Sequence, residues 1–182
     1  MRCGEPLAAL DAQATKMLRV FAAKGYKRVE PPVLQPADVF LDRSGEEIRR
    51  RTFVFDDPTG RELCLRPELT IPVCRMALQT GTRLPARLAY HGPAFRFQTS
   101  DPDRPNQFFQ TGVECLGLAN RDTADKEVLA LAIKAVRAAG LSDFSVKIGD
   151  LGLFAGLVDA LDIPPQWRAR LKRHFWRPGY FK

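Results

Sequence analysis

The chain has 182 residues, 45% of them hydrophobic, which is enough for one domain with a substantial core. Its 28 Lys and Arg exceed its 21 Asp and Glu, and the formal net charge of +7 raises the question of a polyanionic partner. No apolar run approaches the roughly 20 residues that cross a bilayer, and the four cysteines form no Cys-x-x-Cys pair, so we expect no membrane span and no zinc site.

The first predicted element is a helix that closes at Gly25, because apolar residues recur at helical spacing before it. These residues are Leu7, Leu10, Ala14, Met17, Leu18 and Phe21. Residues 26–33 should be extended, since two consecutive prolines exclude a helix. Residues 52–55 and 62–66 have the pattern of short strands, and the Pro- and Gly-containing turn at 57–60 predicts that they pair as a hairpin.

A second helix is predicted from about Leu69 to Thr80, with Pro72 tolerated in its first turn. Residues 90–98 and 106–117 follow as two strand-like runs joined by a polar loop. Neighbouring strands that pair, with helices set between them, indicate an α+β domain built on an antiparallel sheet. We expect residues 1–182 to form this one domain.

The last third of the chain is predicted to be mainly helical. Asp122 is the expected N-cap of a helix that ends at Gly140. Its expected buried stripe consists of Val128, Leu129, Ala132, Ile133 and Val136. Residues 144–148 alternate like a strand, and residues 151–161 and 165–175 have the pattern of two helices.

Polar side chains on the two strand-like runs predict a small-molecule pocket. Gln110 and Glu114 are four residues apart and therefore point to the same side of a pleated strand. Arg96 lies on the partner strand, so one pocket could hold a cation, an amide and a carboxylate. Such a set suits an amino acid or another zwitterion. The alternative is that Arg96 pairs with Glu114 as a structural ion pair.

The segment Arg66–Thr70 closes a strand and opens a helix. This position brings Glu68 and Thr70 to a helix N-terminus, where backbone donors face a ligand. The alternative is that Glu68 and Thr70 serve only to cap the helix end.

Together these segments resemble the catalytic core of class II aminoacyl-tRNA synthetases, and within it the histidyl-tRNA synthetase-like group. Gly25–Leu34 resembles motif 1, Arg66–Thr70 the Arg-Pro-Glu-x-Thr stretch, and Phe95–Glu114 motif 2 with its loop. The resemblance implies a class II synthetase-like antiparallel sheet flanked by helices, with self-association through the motif 1 region. It also implies a histidine site made of Glu68, Thr70, Arg96, Gln110 and Glu114, with Arg104 facing ATP phosphates.

Departures from the synthetase pattern lie on the nucleotide side. Gln98 stands where synthetases have a glutamate that helps to hold ATP, and Asp101 and Asp103 add negative charge to the loop. A chain that keeps amino-acid-facing residues and loses nucleotide-facing ones resembles the ATP phosphoribosyltransferase regulatory subunit family. That resemblance implies a protein without catalytic residues or cofactor. It also implies a short-form catalytic subunit as partner, L-histidine as effector, and a role in the activity and feedback regulation of the first step of histidine biosynthesis.

Both related families would continue well past Lys182, so we expect this chain to be a fragment or a shortened homologue. One competing reading is a fragment of a histidyl-tRNA synthetase that activates histidine with ATP and charges tRNA. Another is a nucleic-acid-binding module, suggested by basic clusters at 49–51 and 168–182. Aromatic residues are not interleaved there as in a stacking platform, so solvated faces or a protein contact are favoured. The cysteine pattern favours reduced thiols and a cytoplasmic protein.

Overall fold

The computed structural model describes residues 4–43, 46–98 and 104–175. Within these ranges no helix has the length and apolar character needed to cross a membrane. The contacts divide the chain into two compact units, residues 1–142 and 143–182. The single-domain organisation over residues 1–182 stays a prediction.

The described part of the first unit contains five helices, with pairs of strands between them along the chain. The helices are α1 (Glu5–Ala22), α2 (Asp38–Arg43), α3 (Glu46–Arg51), α4 (Thr70–Gln79) and α5 (Arg121–Ala138). The strands are β1 (Lys27–Arg28), β2 (Leu34–Pro36), β3 (Val54–Asp56), β4 (Glu62–Leu65), β5 (Ala86–Phe95) and β6 (Gln107–Leu116). The predicted first helix, the helix near 69–80 and both long strands are therefore confirmed.

Two small sheets organise these strands. In the main sheet the order is β1, β5, β6, and the long pair β5 and β6 is antiparallel with Tyr90 opposite Gly112. The short β1 runs parallel to β5. In the second sheet β4 lies between β2 and β3, and β3 pairs with β4 in the predicted hairpin. The predicted α+β class and the antiparallel pairing of the two long strands are confirmed.

The main sheet buries a different apolar cluster on each face. One cluster joins α4 to even-numbered strand residues, and its buried members are Leu69, Val73, Ala77, Ala86, Leu88, Tyr90 and Ala94. The other joins α1 and α5 to odd-numbered Ala89, and its buried members are Phe21, Tyr26, Ala89, Leu131 and Ala135. Because side chains alternate along a strand, Gln110 and Glu114 lie on the α4 face.

Two predictions about α5 are wrong. Its N-cap is Asn120, whose side chain accepts a hydrogen bond of 2.9 Å from the backbone N–H of Thr123, so Asp122 lies in the first turn. The buried residues are Leu131 and Ala135 rather than the predicted stripe. Apolar residues surround much of this helix, so their spacing alone does not choose the buried face, and packing against α1 and β6 decides it.

The second unit contains α6 (Leu151–Ala160) and α7 (Pro165–His174), as predicted. Lys172 on α7 and Asp159 on α6 form an ion pair at 2.7 Å. The strand predicted for residues 144–148 is wrong, because that segment pairs with no strand of the described residues and Ile148 is 76% exposed. Alternation is a local pattern, whereas a strand also needs a neighbour that supplies its backbone hydrogen bonds.

Candidate functional site

The hydroxyl of Tyr90 is the centre of a polar cluster on the α4 face of the main sheet. The Tyr90 side chain is 3% exposed, and its Oη donates to Glu114 Oε1 at 3.2 Å. The same oxygen lies 3.4 Å from Thr70 Oγ1 and accepts from Gln110 Nε2 at 3.5 Å. The cluster therefore joins three residues of the predicted histidine site, one from α4 and two from β6.

A glycine on the facing strand makes room for this tyrosine. Gly112 lies opposite Tyr90 in the sheet register. A Cβ atom added at Gly112 would lie 2.5 Å from Tyr90 Oη and 2.7 Å from its Cζ. Real Cβ atoms do not approach other heavy atoms so closely, so the ring occupies the space that any other residue at 112 would fill.

The segment between β4 and α4 is held to the cluster by its backbone. Gln110 Oε1 accepts a 3.0 Å hydrogen bond from the backbone N–H of Leu69. The Glu68 carboxylate accepts from the backbone N–H groups of Thr70 at 2.6 Å and Ile71 at 2.8 Å. Glu68 thus caps α4, whereas the Thr70 hydroxyl turns toward Tyr90. The predicted roles of Glu68 and Thr70 in histidine binding stay predictions.

Glu114 has no cationic partner in the described part of the chain. Burial raises the pKa of its carboxyl, and the negative charge of Glu68 adds to that effect. Hydrogen bonds from Thr70 and Tyr90 act in the opposite direction, because they stabilise the ionised carboxylate. Burial also raises the pKa of Tyr90 to about 12. The site therefore offers a half-buried carboxylate whose charge is only partly compensated.

Arg96 does not complete this charge balance. Its Nε donates to the backbone carbonyl of Pro67 at 2.7 Å, and its guanidinium lies 5.1 Å from the centre of the Phe108 ring. The alternative of an Arg96–Glu114 ion pair is therefore not formed. The two residues also line separate clefts, although the sequence predicted one pocket for both.

The cleft beside Arg96 has a volume of about 320 Å³ and is rich in arginine. Its lining consists of Arg51, Arg96, Gln98, Arg104, Pro105 and Phe108. Arg51 Nε donates to the Phe97 carbonyl at 3.2 Å, and its Nη2 donates to the side-chain oxygen of Gln98. Arg51 is thus tied to the strand extension rather than serving as a fully solvated charge. Asp101 and Asp103, which the sequence placed in this loop, lie outside the described residues.

The cleft beside Glu114 has a volume of about 360 Å³ and is mainly apolar. Thr70, Tyr90 and Glu114 are among its lining residues, and α1 and α5 supply the apolar side: Met17, Phe21, Val128, Ala132, Ala135 and Val136. This cleft lies along β6, the last strand of the main sheet in the described residues. An apolar wall with a few convergent polar groups is the usual form of a small-molecule site.

A buried arginine, Arg66, links two distant segments of the first unit. Arg66 is 1% exposed; its Nε donates to the carbonyl of Pro93 at 2.8 Å, and its Nη1 donates to the carbonyl of Pro31. A Cβ at Gly92 would lie 2.6 Å from Arg66 Nη2, so a larger residue at 92 would displace this guanidinium. Arg66 therefore connects the motif 1-like segment to β5.

Sequence reasoning did not single out Tyr90 or Arg51 as site residues. One available signal for Tyr90 was its numbering, because it lies six residues before Arg96 in the predicted strand 90–98, and an even spacing predicts the same face. The other signal, the facing Gly112, required the strand register. Arg51 belongs to a run of three arginines, and nothing in that run distinguishes it from its neighbours.

Comparisons with known proteins place this geometry in a family. The sequence profile of the family described as histidyl-tRNA synthetase matches residues 5–178. An ATP phosphoribosyltransferase regulatory subunit from Rhizobium etli is 42% identical over 172 residues, which are 93% of this chain and 45% of the relative. The chain thus spans less than half the length of this curated relative.

Solved structures show the same likeness. The crystal structure of an ATP phosphoribosyltransferase regulatory subunit/histidyl-tRNA synthetase from Bacillus halodurans superposes with a TM-score of 0.84 at 31% identity, covering 100% of this chain and 47% of that one. A histidine–tRNA ligase subunit from Alicyclobacillus acidocaldarius gives a TM-score of 0.72 at 26% identity, covering 94% of this chain and 50% of that one.

Proposed function

The chain belongs to the histidyl-tRNA synthetase family, and from that premise we propose that it is part of a regulatory subunit of ATP phosphoribosyltransferase. Its similarity to the Rhizobium etli regulatory subunit, 42% identity over 93% of the chain, supports this assignment. The proposal concerns the full-length protein, because the chain spans only 45% of that relative. The protein would assemble with a short-form catalytic subunit in the cytoplasm and would itself catalyse no reaction.

The ligand in this proposal is L-histidine, and one observation carries it. Glu114 is a half-buried carboxylate without a cationic partner among the described residues, and it lies beside the amide of Gln110 and the hydroxyls of Thr70 and Tyr90. A protonated amine or imidazole would supply the missing positive charge, and hydrogen bonds to charged groups are the stronger ones in proteins. Histidine binding at this site would shift the equilibrium between two states of the assembly only by as much as the affinity for histidine differs between them.

The nucleotide side supports a protein that does not activate histidine. Gln98 replaces the synthetase glutamate, and its side-chain oxygen is bonded to Arg51. An amide that accepts from an arginine carries no charge with which to hold a magnesium–ATP complex. Self-association through the motif 1-like segment belongs to the same proposal, and the half-exposed Leu34 at the end of that segment is available for such a contact.

The second candidate is a histidyl-tRNA synthetase, favoured by the cleft that Arg51, Arg96 and Arg104 line together. Guanidinium groups suit the phosphates of ATP, and such a cleft would be retained in a protein that makes histidyl adenylate. The two candidates differ in a measurable reaction, because only the synthetase exchanges pyrophosphate into ATP when histidine is present.

The experiment combines the full-length protein with the short catalytic subunit of the same organism. Phosphoribosyl-ATP formation is followed with and without the full-length protein while the histidine concentration rises. Stimulation together with histidine inhibition that requires this protein is the expected result. No effect on that reaction, with histidine-dependent ATP–pyrophosphate exchange by the protein alone, would overturn the proposal in favour of the synthetase.

A further inference from the structure

We propose that the Tyr90 hydroxyl is a positioning group that orients the Glu114 carboxylate and keeps it ionised for its ligand. Gly112 leaves the space that the Tyr90 ring occupies. The inference rests on the proposed function for the identity of the ligand. The hydrogen-bond arrangement itself is independent of that identity. Tyr90 is outside the set of residues that the sequence resemblance assigns to the histidine site.

The directions of the Gln110–Tyr90 and Tyr90–Glu114 hydrogen bonds follow from the chemistry of the groups. Gln110 Oε1 is occupied by the backbone N–H of Leu69 at 3.0 Å, so the amide must present its NH₂ group to Tyr90. Tyr90 Oη then accepts from Gln110, and its single proton goes to Glu114, whose carboxylate can only accept when it is ionised. The backbone N–H of Leu69, just before α4, therefore determines indirectly that Tyr90 donates its hydrogen bond to Glu114.

Close packing surrounds the tyrosine ring. It is 3% exposed and fills the gap opposite Gly112, where even one added carbon would lie 2.5 Å from the hydroxyl oxygen. A side chain that is fixed by packing holds its hydrogen-bond partners at little further entropic cost. Glu114 therefore meets a ligand with one carboxylate oxygen already oriented by Tyr90.

The groups that influence the charge of Glu114 are few among the described residues. They are Glu68 just before α4, Cys74 on α4 and Tyr90 on β5, with the Thr70 hydroxyl as an uncharged donor. The apolar side of the cleft, supplied by α1 and α5, brings none of its own. Burial opposes ionisation of Glu114, and the Tyr90 hydroxyl favours it. Removal of that hydroxyl should raise the pKa of Glu114 and leave more of it neutral.

The chain offers a matched control for the test. Tyr26 is 4% exposed and also donates to a glutamate, Glu127, but on the opposite side of the sheet and outside the proposed site. Tyr90→Phe and Tyr26→Phe each remove one buried hydroxyl and retain the ring. Both variants are made in the full-length protein, and thermal unfolding establishes that each is folded.

Two readouts are taken. Isothermal calorimetry measures L-histidine affinity over a pH series, and ¹³C-carboxyl NMR of labelled glutamate follows the titration of Glu114 without ligand, assigned through Glu114→Gln. For Tyr90→Phe we expect affinity to fall about tenfold at neutral pH, the loss of one hydrogen bond to a charged group. We also expect the acid limb of the binding profile and the Glu114 titration to move to higher pH. Tyr26→Phe should move neither.

The outcomes separate this inference from the proposed function. If the wild type binds histidine and Tyr90→Phe leaves both the affinity and the Glu114 titration unchanged, the inference is overturned and the proposed function stands. If the wild type binds no histidine, the ligand proposal fails. The ligand-free titration then still decides whether Tyr90 sets the charge of Glu114. An equal fall in affinity for Tyr26→Phe would indicate a general structural effect and would also overturn the inference.

Discussion

Two buried tyrosines of this protein each bond to a glutamate, on opposite sides of the main sheet, and the two pairs are completed differently. On the α1 and α5 side, Tyr26 Oη donates to Glu127 at 2.8 Å, and Arg87 donates to both oxygens of the same carboxylate at 2.8 and 3.0 Å. On the α4 side, Tyr90 donates to Glu114 at 3.2 Å, and no arginine of the described residues completes the pair.

The difference in partners gives the two carboxyl groups opposite pKa shifts. The hydrogen bond from Arg87 is the main reason that the pKa of Glu127 falls to about 2. Burial is the main reason that the pKa of Glu114 rises. The closed network of Tyr26, Glu127 and Arg87 contains its own cation and serves the fold. The open network of Tyr90 and Glu114 has no cation among the described residues and retains capacity for a positively charged ligand, which is the physical basis of the proposed site.

The largest effect on stability is expected at Gly112, which packs against the Tyr90 ring of the open network. Gly112→Ala would place a Cβ atom 2.5 Å from Tyr90 Oη, so the ring or the strand must shift. Overpacking of this kind costs about 1–3 kcal/mol, measured as the free energy of unfolding in urea.

Gly156→Ala is the control for that substitution. Gly156 lies inside α6 with no heavy atom within 4 Å of an added Cβ. Alanine there should stabilise the protein by up to about 1 kcal/mol, because glycine weakens a helix. A Gly112→Ala protein as stable as the wild type would show that Tyr90 does not depend on the glycine.

Neutral substitution of the two glutamates should separate the closed network from the open one. Glu127→Gln removes the partner of Arg87 in a partly exposed ion pair, with an expected loss of about 1 kcal/mol. Glu114→Gln removes a carboxylate that burial disfavours, so stability at pH 7 should stay the same or rise. Chemical denaturation of both variants measures this. A larger loss of unfolding free energy for Glu114→Gln than for Glu127→Gln would contradict the claim that Glu114 lacks a stabilising cationic partner.

The pH dependence of stability should have opposite signs in the two networks. Glu127 has a folded-state pKa of about 2 against an ordinary 4.5, so its contribution is present above pH 4.5 and is lost as the pH falls toward 2. Glu114 has a raised pKa, so it favours folding while protonated and costs stability as the pH rises past its ordinary value.

Unfolding free energies from pH 3 to 8 check this expectation. Glu127→Gln should flatten the acid side of the profile, and Glu114→Gln should flatten the decline on the less acidic side. Identical profiles for the two variants would contradict the assignment of opposite shifts.

The smallest effect is expected from Arg96. Its guanidinium donates to Pro67 and stacks on Phe108, so Arg96→Met should leave the titration of Glu114 unchanged. A double-mutant cycle of Arg96→Met with Glu114→Gln should be additive in unfolding free energy, because the two residues share no contact. A coupling energy well above about 0.5 kcal/mol would instead indicate that Arg96 and Glu114 form a structural ion pair.

The features that the sequence predicted correctly are those that depend on local rules. Strand alternation puts Gln110 and Glu114 on one face, and the structure joins both to Tyr90. The Pro- and Gly-containing turn at 57–60 correctly predicted the β3–β4 hairpin. Helical spacing and glycines at helix ends gave the main helices within a few residues, because such signals act within a few residues of chain.

The features that sequence reasoning missed depend on packing between distant segments. Asp122 and Asn120 are both good N-caps, and only the helix start distinguishes them. Residues 144–148 have the alternation of a strand but no strand of the described residues pairs with them. Tyr90 becomes the centre of the site only through the strand register that brings Gly112 opposite its ring. None of these arrangements can be derived from neighbours in the sequence alone.

Calorimetric titration of L-histidine into the full-length protein tests the central claim most directly. The wild type is compared with Glu114→Gln and with Glu127→Gln, which removes the corresponding carboxylate from the closed network. The account predicts that Glu114→Gln weakens binding by about 10- to 100-fold, the loss of a charged hydrogen-bond partner, and that Glu127→Gln binds like the wild type. Unchanged affinity for Glu114→Gln would contradict the claim that this unpaired carboxylate receives the ligand.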